Sequence, residues 1–166
     1  LKIFADSNCI GRNSGWNPIF SVIHERNKQV GFIPMFEKYN SYGEYVFDWE
    51  WANFYNRYHV EYYPKLVIAL PFTPIVTNKF VTNKDIDISK WVNDIVEFAT
   101  KKNYSSIHFL HLSKNHLGFF SNEKFCFRNT FTFDWLNKSF KSFDEYLFRL
   151  NSKNRKKIKQ ERRKID

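Results

Sequence analysis

Five consecutive apolar residues, Leu66 to Leu70, stand between a lysine and a proline-rich turn. A continuous aliphatic run of this length is typical of a strand that is buried on both faces. The Pro-Phe-Thr-Pro sequence at 71–74 ends the strand, because its two prolines have no backbone N–H to give to a sheet. We therefore predict a central strand whose loop lies at the carboxyl edge of a sheet, where ligands of open α/β sheets bind.

Hydrophobic periodicity and turn residues predict the remaining elements. Two apolar-rich runs with a polar connection, 18–24 and 29–36, predict a hairpin, and Pro34 places its strand near an edge or at a bulge. Aromatic and polar residues alternate strictly over 125–135, which predicts the clearest strand of the chain. We also expect helices over 53–62 and from a cap at Asp87 or Ser89 to Lys102, a strand over 105–112, and a short helix over 113–120. This order predicts an α/β (α+β) fold with a mixed, mostly antiparallel central sheet flanked by helices.

The stretch from Ser41 to Ala52 combines aromatic rings with three carboxylates and one glycine. This mixture suits the wall of a cleft, where apolar side chains form a pocket and a few polar groups orient the ligand. Its Tyr42, Gly43 and Trp49 are therefore candidate substrate-binding residues. The alternative is a half-buried helix or turn whose acids face solvent.

Glu44 and Asp48 are the candidate catalytic residues. If the chain between them is helical, their carboxylates share one face and repulsion raises the pKa of one of them. Such a carboxylate is a suitable general base for acyl transfer to an amine, because a protonated amine has no free electron pair. Alternatively, the two acids mark a helix N-terminus, where the helix dipole favours negative charge.

Residues at both ends of the central strand are further candidates for substrate binding. Tyr63 and Lys65 precede it and are placed to hold a carboxylate or phosphate, unless Lys65 simply points outward from a strand edge. Phe72 and Thr73 follow the strand, and Thr73 offers a hydroxyl donor. We expect one concavity to be lined by Phe72 and Thr73 together with Tyr42, Glu44, Asp48 and Trp49.

No metal site is predicted from the histidines and cysteines. His108 and His111 are expected on opposite faces of one strand, which argues against a shared metal ion. Cys9 and Cys126 have no CxxC partner, so neither a zinc site nor a disulfide framework is expected.

The basic residues are concentrated at the C-terminus. Between Arg149 and Asp166 there are nine Lys or Arg and two acids. Ser142 and Glu145 form a capping box, from which we predict one continuous helix from Phe143 to about Lys164 whose basic half leans away from the core. It is interpreted either as a connecting helix that packs on a second domain or as a surface for tRNA or membrane phosphates. The candidate polyanion-binding residues are Lys156, Lys157, Arg162 and Arg163.

Length and composition are those of a globular domain of ordinary size. The chain has 166 residues, of which 43% are hydrophobic, and it contains no apolar run of the length that a membrane span needs. No N-terminal signal pattern is visible. Two cysteines without a disulfide framework fit a reducing compartment, so a cytoplasmic location is expected. The chain opens on Leu1 and stops within a charged stretch, from which we expect a segment of a longer protein that begins at the end of a helix.

Three separated motifs resemble one bacterial family. They are Ser-Tyr-Gly-Glu-Tyr-Val-Phe-Asp-Trp at 41–49, Tyr-Pro-Lys-Leu at 63–66 and Pro-Phe-Thr-Pro at 71–74, and Gly15-Trp16 and the basic stretch 152–163 agree with them. The chain is similar to the peptidoglycan biosynthesis/recognition proteins, which are predicted N-acyltransferases of the GNAT superfamily and resemble the Fem aminoacyltransferases. The resemblance implies a GNAT-like domain over 1–141, the first of a tandem pair, joined by 142–166 to a second half.

The same resemblance implies transfer of an acyl or aminoacyl group to an amine, with acyl-CoA as a possible donor. GNAT enzymes bind the CoA pyrophosphate on a glycine-rich turn at a helix N-terminus. This chain has two prolines and no Gly-x-Gly at the equivalent place, 71–74, so it is interpreted as the half that holds the acceptor. The alternative function is a non-catalytic module that recognises a cell-wall precursor or another polar ligand.

Overall fold

The computed structural model describes residues 1–11, 13–120, 123–131 and 133–165. These residues form two compact units, an N-terminal unit from Leu1 to Arg128 and a C-terminal unit from Asn129 to Asp166. Among the described helices, none has both the length and the apolar character needed to cross a membrane. The elements are α1 (Lys2–Asp6), β1 (Asn17–Pro18), β2 (Ser21–Glu25), β3 (Lys28–Ile33), β4 (Met35–Lys38), α2 (Trp49–Arg57), β5 (Lys65–Ile68), β6 (Val81–Thr82), α3 (Ile88–Lys101), β7 (Ile107–Phe109), a 3-10 helix (Lys114–Phe119), α4 (Phe143–Phe148) and α5 (Ser152–Arg162).

Two sheets make up the N-terminal unit. The larger has the strand order β1-β4-β5-β7, in which β5 is antiparallel to β4 and parallel to β7. The smaller has the order β2-β3-β6 and is antiparallel throughout. The predicted mixed, mostly antiparallel α+β class is confirmed, with two sheets in place of one. The chain passes from one sheet to the other at Pro34, between β3 and β4, because proline cannot continue the pairing of a central strand.

The predicted central strand is confirmed as β5, which spans Lys65–Ile68 instead of 66–70. All four of its residues are buried, and Val67 and Ala69 are 0% and 2% exposed. Leu66 and Ile68 belong to a core that includes the apolar side of α3, whereas Val67 and Ala69 belong to a second core with Trp16. Helix α3 begins where expected, because the Asp87 side chain accepts a hydrogen bond from the Lys90 N–H. Both faces of the strand are therefore covered.

The alternating stretch at 125–135 does not form a strand in its described residues, so that prediction was wrong. Phe131 and Phe133 are 97% and 101% exposed. A strand requires a neighbour with which to exchange backbone hydrogen bonds, and no described strand pairs with this stretch. Alternation alone could not supply the neighbour.

The helix boundaries also differ from the predictions. Helix α2 begins at Trp49 rather than at 53 and ends at Arg57, with left-handed His59 two residues later. The single basic helix is two helices, because the side chain of Asn151 accepts from the Asn154 N–H and starts α5 anew. Arg162 of α5 lies over the Phe143 ring at 4.4 Å, so the basic stretch contacts α4 within the C-terminal unit.

Candidate active site

The segment from Ser41 to Asp48 is a loop that lies against the larger sheet. It is not helical, so the predicted helical spacing of Glu44 and Asp48 was wrong. Gly43 and Tyr45 adopt left-handed conformations, with φ of 77° and 57°. The Gly43 carbonyl accepts from the Phe72 N–H at 3.2 Å, and a Cβ at Gly43 would lie 2.6 Å from the Phe72 ring. Glycine is required here because the backbone turns left-handed against an aromatic ring.

Four charged side chains are buried beneath this loop. Lys38 of β4 and Lys65 of β5 are directly opposite each other in the sheet register, and each is 0% exposed. Two like charges at such positions repel unless acids lie between them. Glu44 and Asp48, each 2% exposed, provide the two compensating negative charges. The alternative in which Lys65 points outward from a strand edge was wrong.

The Lys65 ammonium group is the centre of this cluster. Its Nζ donates to Asp48 Oδ2 at 2.5 Å, to Glu44 Oε2 at 2.9 Å and to Ser41 Oγ at 2.8 Å. These three bonds use all three ammonium protons. Tyr63 completes the group through its hydroxyl, which lies 2.8 Å from Ser41 Oγ.

Lys38 is less fully paired than Lys65. Its Nζ lies 4.0 Å from Glu44 Oε1, donates to the Tyr42 carbonyl at 2.9 Å, and is 3.8 Å from the centre of the Trp16 ring. Glu44 Oε1 and Trp16 Nε1 are buried and have no hydrogen-bond partner among the described atoms. One oxygen of Glu44 is thus held by Lys65, and the other is free to accept a proton.

The environment drives the pKa values of the two carboxyl groups apart. Burial raises the pKa of Glu44, and the nearby Lys65 ammonium only partly opposes this effect. Burial also acts to raise the pKa of Asp48, but hydrogen bonds from Lys65, Tyr62 and Ser41 outweigh it and leave the pKa lowered. The Tyr62 hydroxyl donates to Asp48 Oδ2 at 2.7 Å. Two carboxyl groups with opposed shifts are the usual arrangement of an acid–base site.

Two neighbouring bases are also shifted. Burial lowers the pKa of Lys38 to about 8, despite the favourable charge of Glu44. Burial and the charge of Lys65 lower the pKa of His108 to about 4, so its ring is neutral near pH 7. The cluster therefore contains one carboxylate with a lowered pKa, Asp48, beside a carboxyl group with a raised pKa, Glu44, and two bases with lowered pKa values.

Glu44, Asp48 and His108 also offer metal ligands, with one atom of each lying within 4.8 Å of the others. The Lys65 ammonium, however, bonds to both carboxylates. In this arrangement the lysine supplies the positive charge that a metal ion would otherwise supply, so the donor set does not favour a metal.

The structure brings together most of the predicted site residues, but in two layers. Glu44, Asp48, Lys65 and Tyr63 belong to the buried cluster. Tyr42 and Trp49 lie on the outside, 68% and 41% exposed, with ring centres 5.3 Å apart. Phe72 is on the same side as Gly43, as the single-concavity prediction requires, whereas Thr73 donates its hydroxyl to the Pro71 carbonyl.

The loop at 71–75 has no free backbone donor. The N–H groups of Phe72, Thr73 and Ile75 donate to carbonyls of Gly43, Leu70 and Thr73, and the two prolines have none. A pyrophosphate needs such donors. Lys79 ties the following turn down, since its buried ammonium donates to Thr77 Oγ1 at 2.6 Å and to the His111 carbonyl at 3.2 Å.

Both histidines near the site lie in positions other than those predicted from the sequence. His108 lies beside the two carboxylates, and His111 Nε2 is 3.2 Å from the Glu44 carbonyl. The prediction of opposite faces was wrong because β7 ends at Phe109 and the chain turns at left-handed His111. Lys38 and Tyr62 were missed altogether, because only the sheet register places Lys38 opposite Lys65, and only the folded structure brings the Tyr62 hydroxyl to Asp48.

The basic residues predicted to bind polyanions lie on or next to α5 in the C-terminal unit. Lys156, Lys157, Arg162 and Arg163 are all exposed. Lys157 lies 3.8 Å from Glu161, and Arg162 stacks on the Phe143 ring. The charges are available to a partner, although two of them already have contacts within the unit.

The domain thus combines a mixed α+β fold with a buried lysine–carboxylate cluster that lies under an aromatic loop. Residues 1–166 match the family described as FemAB-like, peptidoglycan biosynthesis/recognition, and the chain belongs to this family. Its role is accordingly related to peptidoglycan. No curated protein and no solved structure matches the chain significantly. The resemblance drawn from the sequence motifs is confirmed at the level of the family.

Proposed function

We propose that this chain is the acceptor-side half of a Fem-like N-acyltransferase of the GNAT superfamily, which moves an acyl or aminoacyl group to an amine of a peptidoglycan precursor. The observation that carries the proposal is the buried pair Glu44 and Asp48, both bound to the Lys65 ammonium group, and the opposite directions of their pKa shifts agree with it. Family membership supports the cell-wall substrate.

In the proposed reaction Glu44 is the general base. An acceptor amine reaches the site as an ammonium ion, and Glu44 Oε1, which has no hydrogen-bond partner, takes its proton. The free amine attacks the acyl carbonyl, a C–N bond forms, and the bond to the thiol or ribose oxygen of the donor breaks. The nitrogen gives its remaining surplus proton to that leaving group, and Glu44 releases the proton that it took to solvent. Asp48 stays ionised and shares the Lys65 ammonium group with Glu44, and this ammonium group fixes the second oxygen of Glu44.

The acceptor is proposed to approach through the Ser41–Asp48 loop, which covers the cluster. The outer side chains Tyr42, Trp49 and Phe72 form an aromatic rim that binds the body of the substrate. Access to Glu44 requires the loop to shift, since the carboxylate is 2% exposed. Gly43 and Thr73 take part by setting the shape of their loops. Tyr63 and Lys65 take part by anchoring the Ser41–Asp48 loop to the sheet.

The donor is proposed to bind away from the 71–75 loop, whose backbone donors are all engaged. A second GNAT-like half of the same protein is the proposed site for the reacting, acyl-bearing end of acyl-CoA, and tRNA is the alternative carrier of the acyl group. Lys156, Lys157, Arg162 and Arg163 are the proposed polyanion contacts, and their affinity should fall steeply with salt. With either donor, the reaction is proposed to take place in the cytoplasm.

The test is Glu44→Gln in the whole protein, assayed with acyl-CoA and with aminoacyl-tRNA as donors and a peptidoglycan stem peptide as acceptor. We expect a loss of at least 100-fold in kcat, as is typical for removing a general base. Glu37→Gln is the matched control, because this half-buried carboxylate bonds to Asn17 and Tyr104 outside the cluster. Equal activity of the two variants, with both folded, would refute the role of Glu44.

A non-catalytic recognition module is the second candidate, favoured by the complete pairing of the Lys65 protons in a closed cluster. This alternative predicts that the stem peptide binds without turnover with either donor. It also predicts that Trp49→Ala weakens binding while Glu44→Gln leaves it unchanged.

A further inference from the structure

Three aromatic rings, of which Trp135 is exposed and Phe140 and Tyr146 are half-buried, form a platform in the C-terminal unit. The rings of Trp135 and Phe140 are nearly parallel, at 18°, with centres 6.3 Å apart. The Tyr146 ring stands edge-on to both, at 5.5 and 5.7 Å. Trp135 is 62% exposed, so the group presents a large ring to solvent instead of filling a core.

Local backbone structure fixes this platform. The Asn137 side chain accepts from the Phe140 N–H at 2.9 Å, and left-handed Ser139 lies within the same turn. This turn brings Phe140 back to Trp135. Ser142 then caps α4 by accepting from the Glu145 N–H, and the helix carries Tyr146 to the two rings. The arrangement thus follows from a turn and a cap, both local in sequence.

Two cavities flank the platform, and basic side chains line them. One of about 480 Å³ includes Lys141, and one of about 590 Å³ includes Lys138 and Arg149. None of these three has an ion-pair partner in the described part of the chain. Asp134 is the one acid lining either cavity.

We infer that the platform of Trp135, Phe140 and Tyr146 binds the phosphorylated adenosine of an activated acyl donor. Exposed aromatic rings stack on bases, and this stacking is effective for every base. Unpaired lysine and arginine side chains beside the platform hold phosphate oxygens through charge-assisted hydrogen bonds. The Asp134 carboxylate accepts from a ribose hydroxyl, a contact that acidic residues make in other nucleotide sites.

One ligand chemistry covers both possible donors. Coenzyme A carries a phosphorylated adenosine at one end, and an aminoacyl-tRNA carries its acyl group on a terminal adenosine. The assignment as a donor site rests on the proposed transferase function, but binding of the adenosine itself does not. Glu44→Gln should therefore bind the nucleotide normally, and a failure of catalysis at Glu44 leaves this inference intact.

The experiment is a calorimetric titration of the whole protein with adenosine 3′,5′-bisphosphate. We expect Trp135→Ala to weaken binding at least tenfold. Phe133→Ala is the matched control, because this aromatic is fully exposed in the same segment and lines neither cavity. Lys138→Ala with Arg149→Ala should also weaken binding and lower its salt dependence, whereas Lys153→Ala with Lys159→Ala on α5 should have a smaller effect.

Competition identifies the source of the adenosine. Displacement of the bisphosphate by coenzyme A but not by an RNA minihelix ending in CCA indicates an acyl-CoA donor, and the reverse indicates aminoacyl-tRNA. The inference is overturned if no binding is detected at millimolar nucleotide, or if Trp135→Ala and Phe133→Ala bind equally well. It is also overturned if inorganic phosphate competes as strongly as the nucleotide, because the rings would then contribute nothing.

Discussion

At the scale of single residues, the buried Lys65 organises the candidate site. It accounts for the burial of two carboxylates that could not otherwise leave water without a large free-energy penalty. In the sequence Lys65 precedes an aliphatic run, so it could also be interpreted as a lysine that points outward from a strand edge. Only the antiparallel pairing of β4 with β5, which places Lys38 opposite Lys65, shows why two acids must cover this end of the sheet.

Replacing Lys65 with methionine should therefore destabilise the protein strongly. The change leaves Glu44 and Asp48 buried together without their shared cation, and breaking such a buried pair typically lowers the free energy of unfolding by about 3–5 kcal/mol. Urea denaturation measures the loss. The matched control is Lys90→Met, which removes an exposed pair with Asp94 and should change stability by less than about 1 kcal/mol. Similar effects of the two substitutions would mean that the cluster is not a buried ion pair.

Lys79 gives a prediction for pH. Burial lowers its pKa from 10.5 to about 8 in the folded protein. Between these values the unfolded chain holds a proton that the folded protein has released, so the contribution of Lys79 to stability rises with pH from about 8 to 10.5. At lower pH both states are protonated and this contribution stays at its minimum.

The measurement is the free energy of unfolding from pH 7 to 10 for the natural protein and for Lys79→Met. We expect the free energy of unfolding of the variant to rise less steeply with pH above pH 8. The difference in slope should correspond to at most one proton per molecule. Lys38 is also shifted to about 8, so a residual slope should remain in the variant. Identical slopes would show that Lys79 titrates alike in both states.

At the scale of elements, the Ser41–Asp48 loop depends on one backbone position. Gly43 has a positive φ, and its missing Cβ leaves room for the Phe72 ring. Gly43→Ala should destabilise the protein by about 1–3 kcal/mol through backbone strain, and should reduce activity further by moving Glu44. Gly118→Ala is the control, since a Cβ there meets no atom within 4 Å. Thermal unfolding of both variants decides the matter, and a neutral Gly43→Ala would contradict the structure of the loop.

Some elements could be predicted from the sequence because their causes are local. The Asp87 cap, the β2–β3 hairpin and the buried run of β5 are each encoded within a few neighbouring residues. The stretch at 125–135 shows the limit, since its alternation is that of a strand but pairing requires a neighbour that alternation does not specify. The break before α5 was missed because Asn151 resembles any polar helix residue until its side chain is seen capping Asn154.

The same limit applies to the candidate site. The motif at 41–49 contained both catalytic candidates, and the resemblance identified the family correctly. Their proximity was attributed to a helix, whereas a loop and the shared partner Lys65 bring them together. Lys38, Tyr62 and His108 reach the acids from other strands and segments, and no spacing in the sequence relates them to Glu44.

At the scale of the whole molecule, the two units contribute different chemistry to the proposed reaction. The N-terminal unit contains a nearly neutral ion cluster and an aromatic loop, which suit an amine acceptor. The C-terminal unit contains most of the excess positive charge and an aromatic platform, which suit a phosphorylated donor. This division agrees with the absence of a free backbone donor in the described 71–75 loop.

The central claim is that burial makes Glu44 a base while Asp48 stays an anion. The most direct measurement is an NMR titration of the whole protein with 13C-labelled glutamate and aspartate side chains, with Glu44→Gln and Asp48→Asn used to assign the two signals. We predict that Glu44 titrates above its ordinary value of 4.5 and Asp48 below its ordinary value of 3.8. A Glu44 carboxyl that titrates at or below 4.5 would contradict the account, because it would be too weak a base to take a proton from the acceptor amine.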